Sequence, residues 1–319
     1  MKKAFILLIL LTVFLGGCVI ISLPGVEPLT EKVVGGKGDD KVLLIDISGI
    51  ITDADANGGI FKSKQSLTAR IKEELDNASE DKAIKAIVLR IDTPGGSVTT
   101  CDIVTHEILR FKKKRNTPVI AQFMDVAASG GYYIASAAAD RIIAHPTTVT
   151  GSIGVVAFSM NASGLLDKIG IANQTIKSGD KKDIGSPLRP MTEEERRILQ
   201  GIIDDMYERF LDVIIEGRKA FFTKDELRKI ADGRVFTAQQ AVKLKLIDSI
   251  GYLDDAIDAA KEKAGIKEAT IVTYSSPRSY KNNIYSSLEQ LPSQVNLINI
   301  DAGAFSRKMG LSFMYLWMP

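Results

Sequence analysis

Histidine and cysteine are almost missing from this 319-residue chain, which holds only His106, His145, Cys18 and Cys101. A structural zinc site needs four soft ligands at short spacing, so no metal is expected, and nothing in the sequence calls for another cofactor. A disulfide would have to join Cys101 to the export-like N-terminus, which argues against one. An excess of one charge is lacking too: 41 basic against 39 acidic side chains leave a net +2. That balance creates no field suited to nucleic acid, and none is expected as a partner. No internal repeat is visible. With 45% hydrophobic and 25% charged residues, the composition is that of a globular chain long enough for one large core or two modest ones.

What is present begins at the N-terminus. Lys2 and Lys3 precede an uncharged, mostly apolar run from Ala4 to Pro24, the charged and apolar regions of an export signal. Its end, Leu15-Gly16-Gly17-Cys18, looks like a bacterial lipobox, in which Cys18 accepts the lipid. The run continues through Val19-Ile20-Ile21 towards the ~20 residues that span a bilayer, so an uncleaved anchor competes with the lipoprotein reading. Simple secretion is the third option. All three place the rest of the chain outside the cytoplasm, and two keep it at the cell membrane.

Residues 1–24 are thus a signal or anchor segment, 25–40 a glycine-bearing tether, 41–274 the folded domain and 275–319 a polar tail with an apolar end. Strand signals fall at Val42–Ile47, Ile84–Ile91, Pro118–Phe123, Arg141–Ala144, Val149–Ala157, Ile171–Ile176 and Ala269–Tyr274. Helical spacing appears at Leu67/Ile71/Leu75, at Val98–Lys114 and from Ser129 onward. The β–α alternation to about residue 190 predicts an α/β fold of stacked β-β-α or βαβ units. Thr192…Glu195 and Thr223…Glu226 are capping boxes opening a more helical C-terminal part, the first with the stripe Ile198, Ile202, Met206, Phe210 and Ile214. An amphipathic piece is expected around Tyr285–Leu291.

Three glycine-bearing turns follow strand signals: Pro94-Gly95-Gly96, Ala128-Ser129-Gly130-Gly131 and Thr150-Gly151-Ser152-Ile153-Gly154. Each alone is more often tight packing than chemistry. A serine opening a helix, though, offers its hydroxyl beside N–H groups of partial positive charge, which suits a developing oxyanion. Gly130 can donate one N–H to it and the Gly95-Gly96 turn another. Such a serine needs a base. His106 sits within a helix and His145 before a proline, so neither fits readily. Lysines crowd Lys177-Ser178-Gly179-Asp180-Lys181-Lys182-Asp183 after a strand signal. A lysine base has to be neutral, which takes burial or a cationic neighbour, and a lysine-rich turn is usually only a solvated face. Cys101, near the start of a helix, reads as packing rather than as a reactive thiol.

Together these motifs, in this order and with Asp92-Thr93 before the first turn and Asp232-Gly233-Arg234-Val235-Phe236 and Leu246-Ile247-Asp248 further on, resemble the short type of the signal peptide peptidase A (protease IV) family. The resemblance spans about Val42 to Gly251 and implies a Clp protease/crotonase-like fold. It implies a Ser–Lys endopeptidase with Ser129 as nucleophile, Lys182 as general base, Ser152 orienting the lysine, and Gly96 and Gly130 as oxyanion donors. It also implies signal peptide remnants as substrates and a homo-oligomer whose neighbouring subunits complete each site. Lys181 is the adjacent-register alternative to Lys182. A crotonase-like acyl-CoA enzyme and an inactive scaffold are the competing readings; the first wants a carboxylate base and a cytoplasmic substrate.

Overall fold

Strand β2 (Lys41–Ser48) alternates its side chains so that Val42 and Leu44 face one side of a sheet while Leu43, Ile45 and Ile47 face the other. Strand β3 (Ile84–Thr93) repeats the pattern with Ala86 and Val88 against Ile87, Leu89 and Ile91. Both faces being apolar, these strands belong in the middle of a covered parallel sheet. A computed structural model shows this arrangement and describes residues 28–53, 66–275, 283–284 and 312–318. The predicted N-terminal export segment, Cys18 included, and the amphipathic piece at Tyr285–Leu291 lie outside the described residues.

The remaining strands are β1 (Thr30–Gly36), β4 (Gly95–Ser97), β5 (Val119–Ala128), β6 (Arg141–Ala144), β7 (Val149–Gly151), β8 (Val156–Phe158), β9 (Val235–Thr237), β10 (Ser249–Ile250), β11 (Thr270–Ser275) and β12 (Ser312–Leu316). The helices are α1 (Leu67–Glu80), α2 (Val98–Arg115), α3 (Gly130–Ala138), α4 (Ser163–Lys168), α5 (Glu193–Arg218), α6 (Lys224–Arg228), α7 (Ala238–Lys243) and α8 (Leu253–Ala264). The main sheet runs β1-β11-β2-β3-β5-β6-β10, parallel from β11 to β10. β7 continues it beside the second half of β5, with β9 antiparallel at its edge. β4, β12 and β8 form a separate three-stranded antiparallel sheet. The chain is therefore mixed α/β with a mainly parallel sheet, compatible with the expected Clp protease/crotonase-like architecture.

Helices α1, α2, α3 and α5 cover one face of the sheet through Ile71, Ile108, Tyr132 and Phe210, and α8 covers the other through Leu253, Ala256 and Ala260. Asp46 and Arg90, side by side on β2 and β3, form a buried two-pronged ion pair at 2.6 and 2.8 Å. Both predicted capping boxes are formed, with the Thr192 N–H on Glu195 at 2.9 Å and the Thr223 N–H on Glu226 at 2.9 Å.

Several local expectations are corrected. Thr30–Gly36, read as tether, is an edge strand antiparallel to β11. Ile171–Ile176 is exposed chain without strand pairing, and Ile176 is 99% exposed. Val149–Ala157 is two strands, β7 and β8, in different sheets. Along α5 the stripe is buried at Phe210 and Ile214, but Ile198 is largely exposed. The tail's apolar end is β12.

Helix α5 crosses α3 very closely: a Cβ on Gly217 would stand 1.9 Å from the Ser136 carbonyl oxygen, whereas one on Gly201 of the same helix would meet nothing within 4 Å. Gly217→Ala should therefore destabilise the fold by roughly 1–3 kcal/mol through overpacking. Gly201→Ala should stabilise it by about 0.5–1 kcal/mol through backbone entropy. Urea unfolding midpoints of the two variants check both signs, and equal shifts would refute the close crossing.

Candidate active site

The site grows from a register change in β5. Ile91 of β3 faces Phe123, but two residues later Thr93 faces Ala127, so β5 carries two extra residues there. Such a bulge bends a strand and re-aims the residues beyond it. Past the bulge, β5 leaves β6 and pairs with β7, Ala128 opposite Gly151. The next residue is Ser129, whose N–H donates to the Gly151 carbonyl at 2.8 Å while its own carbonyl accepts from Tyr133 of α3 at 2.8 Å. A strand thus turns into a helix at one residue, with φ 52° and ψ −110°. For a residue with a Cβ this backbone is strained by about 1–3 kcal/mol and persists only where its surroundings impose it. Ser129 is 1% exposed and its Oγ has no hydrogen-bond partner among the described residues. A buried hydroxyl left unpaired is costly, so its position is itself a pointer to chemistry.

The N–H of Gly130 is the first of α3 and has no partner within its helix. Gly95-Gly96 approach it edge-on. Cβ atoms built at Gly130 would come 3.2 Å from Gly95 Cα and 3.3 Å from Gly96 N, and one on Gly95, at φ 103°, would sit 2.7 Å from Gly130 N. Only glycines let these two backbones meet, and their meeting sets two amides around one small space. Behind them Cys101 is buried, its Sγ 2.4 Å from where a Gly130 Cβ would lie, and burial pushes its thiol pKa well up. It is packing, as the sequence suggests.

Ser152 follows Gly151 directly, so the bond that fixes Ser129 also sets Ser152 beside it. Ser152 too has positive φ, 50°, and its N–H donates to the Arg234 carbonyl at 2.8 Å. The structure therefore brings together Ser129, Ser152, Gly96 and Gly130. It does not bring Lys182 to them. The lysine lies exposed in a turn-rich segment between α4 and α5.

That segment is nonetheless built. Arg189 binds the Asp183 carboxylate through Nε at 2.9 Å and Nη2 at 2.7 Å, and reaches Glu195 through Nη1 at 2.9 Å and Nη2 at 2.5 Å. Arg189 and then Lys177 hold the Asp183 carboxyl well below the usual range, and Arg189 with the Thr192 N–H holds Glu195 down to about 2. Depressed carboxyls support this stem above their ordinary range near 4, and the support is lost only as pH falls towards 2. Lys177 is spent on Asp183 at 2.8 Å and Lys181 on Glu194 at 2.5 Å. Of the lysines in this turn, Lys182 alone has a side chain without a hydrogen-bond or ion-pair partner among the described residues.

The histidines stand apart. His106 is exposed on α2, and His145 contacts Thr147 at 2.9 Å and the edge of Tyr252. Among the described residues no group of three or more His, Cys, Asp or Glu is placed to hold a metal ion. Sequence reasoning missed the aromatic wall beside the site, where Tyr133 meets Phe210 at 5.1 Å between ring centroids. The Tyr132-Tyr133 pair after Gly131 was a signal in plain view.

Strain at Ser129 makes a stability prediction. Ser129→Gly should raise unfolding stability by about 1 kcal/mol over Ser129→Ala, since glycine accepts this backbone and alanine does not. Chemical denaturation of both variants checks it; an equal or lower midpoint for the glycine variant would contradict the strain.

The sequence pattern of peptidase family S49 matches residues 111–267. An Enterococcus faecium protein assigned as signal peptide peptidase SppA is 36% identical over 78% of this chain and 72% of its own length. The chloroplastic serine protease SPPA of Arabidopsis thaliana is 33% identical over 92% of this chain but 44% of its own length. Protease 4 of Salmonella typhi is 34% identical over 70% of this chain and 36% of its own length. A strained serine at a strand–helix turn, two converging amides and this extent of similarity lead to one conclusion: the chain belongs to peptidase family S49.

Proposed function

We propose that the chain is a serine endopeptidase working through a Ser129–Lys182 dyad. We further propose that it is attached to the membrane and hydrolyses signal peptide remnants and other extended apolar peptides on its extracytoplasmic side. The observation that carries this is the buried, unpartnered Ser129 Oγ on a strained turn beside the Gly96 and Gly130 amides.

In this reading the Lys182 amine takes the Ser129 proton as Oγ attacks the substrate carbonyl carbon. An amine serves as base only when neutral, a state that desolvation favours. The carbonyl oxygen becomes an oxyanion that accepts from Gly96 and Gly130, and Ser152 orients the amine. The resulting lysinium gives its proton to the leaving nitrogen, the C–N bond breaks, and an acyl ester remains on Ser129. Water, deprotonated by the same lysine, then hydrolyses that ester and restores both residues. No cofactor enters.

Within one chain the two ends of this dyad do not touch, so the reading requires a homo-oligomer in which a neighbour delivers Lys182. Two observations support it. Lys182 is exposed and unpartnered on a well-clamped turn, ready to be buried elsewhere. The segment leading to it exposes Phe158, Met160, Leu165, Ile169 and Ile171, and α4 has no buried residue at all. Exposed apolar groups in such density mark a surface that another protein surface covers. Membrane attachment rests on the Lys2–Cys18 segment; among the described residues no helix is long and apolar enough to cross a membrane.

Ser129→Ala and Lys182→Ala should each lose activity on an apolar peptide amide by roughly three orders of magnitude or more. Unfolded together and refolded as a mixture, the two should recover a measurable fraction of it, because some sites then pair an intact serine with an intact lysine. Undiminished turnover by Lys182→Ala would remove the lysine from the mechanism. No recovery on mixing would place both residues within one chain.

A further inference from the structure

How Lys182 is held bears on how it reaches a serine, an inference that rests on the peptidase reading above. Between the end of α4 at Lys168 and the start of α5 at Glu193 the chain forms neither helix nor strand. Lys182 rides on a succession of turns there: its N–H donates to the Gly179 carbonyl at 3.1 Å, that of Ile184 to Lys181 at 3.1 Å and that of Ser186 to Asp183 at 3.0 Å. Exposed turns open easily, whereas a catalytic group has to be held within about 0.5 Å of its productive place. Arg189 supplies the missing tie. Its guanidinium straddles two carboxylates, that of Asp183 next to the lysine and that of Glu195 in the first turn of α5. Glu195 is 1% exposed, and α5 runs on from it to Phe210 and Ile214 in the core. Lys177 grips the same Asp183 carboxylate from the other side at 2.8 Å. A continuous path thus leads from the core through α5, Glu195, Arg189 and Asp183 to the residue beside Lys182.

The helix itself does not call for this arginine. Its start is already closed by the Thr192–Glu195 capping box, with the Glu195 N–H on Thr192 at 3.2 Å. The second box, Thr223–Glu226, is complete although no arginine hydrogen-bonds its glutamate among the described residues. What Arg189 adds is the link to Asp183, so it serves the turn rather than the helix. Arg189 holds both carboxyls below their ordinary range, so all three charges persist through neutral pH. A planar guanidinium has donors enough for two carboxylates at once. An ammonium is a point charge on a flexible stem and cannot fork in this way.

We propose that Arg189 is a positioning residue for the base: by joining Asp183 to Glu195 it seats the Lys182 turn on the end of α5 and aims the lysine into a neighbouring subunit's site. The test puts one substitution on either side of a mixed site. Full-length Ser129→Ala and Lys182→Ala chains are unfolded together and refolded, so that a working site takes its lysine from the first and its serine from the second. Arg189→Met is then added to one chain or to the other. On the Ser129→Ala chain, which delivers the lysine, it should cut the recovered turnover by about 100-fold, the cost of a group misplaced by about 1 Å. On the Lys182→Ala chain Arg189 serves no working site, so the recovered turnover should stand, which also shows that a chain carrying Arg189→Met folds and assembles. Arg189→Lys on the lysine-delivering chain should lose nearly as much as Arg189→Met, because the charge stays and the fork is gone. In the otherwise unaltered chain, Arg189→Met should lower kcat by about 100-fold with KM little changed, since the lysine acts in the transition state and not on bound peptide. Equal loss from either chain, loss from neither, full turnover with Arg189→Lys, or a raised KM with kcat kept overturns the proposal. In each of those cases the turnover recovered by the pair without any Arg189 change still upholds the shared dyad. If that pair recovers nothing, the shared dyad falls, and this proposal falls with it.

Discussion

One backbone hydrogen bond, from the Ser129 N–H to the Gly151 carbonyl, organises the rest of the site. It is the last rung of the β5–β7 ladder, and it holds Ser129 in a conformation the residue would not choose. The bulge in β5 makes the rung possible by turning the strand from β6 to β7. The same rung sets Ser152 at the side of Ser129, and the helix that begins one residue later supplies the Gly130 amide. Sheet, bulge and helix are ordinary stabilising elements, and the positive φ they impose falls on two serines, Ser129 and Ser152.

Much of this was legible in the sequence, for identifiable reasons. The strands β2, β3 and β5 are covered on both faces, so their continuous apolar runs announce them. The capping boxes at Thr192 and Thr223 are local chemistry and need no tertiary partner. Ser129 between Ala128 and Gly130-Gly131 was legible as a helix-opening serine, though its strain was not.

What escaped depends on distant partners. Strand β1 buries Val34 and leaves most of its length to solvent, and it is a strand because β11, over 200 residues on, pairs with it. Ile171–Ile176 has strand-forming side chains but pairs with no strand edge among the described residues, and its apolar residues are exposed. The stripe of α5 is buried only where α3 and Tyr315 meet it. No periodicity rule registers where a helix outruns the surface beneath it. The aromatic cluster of Tyr133, Phe210 and Tyr315 is assembled from α3, α5 and β12, three segments whose meeting no local pattern encodes.

The covalent continuity of β12 with the rest of the chain changes how the site meets its surroundings. Residues 276–311 join it to β11, so its encounter with β4 and β8 is governed by an effective concentration rather than by how much protein is present. For tethered segments that quantity is on the order of millimolar. Under the proposed peptidase function, an incoming peptide would meet a threshold where β4 and β8 already pair with β12, rather than an open edge. Dilution does not relax that threshold.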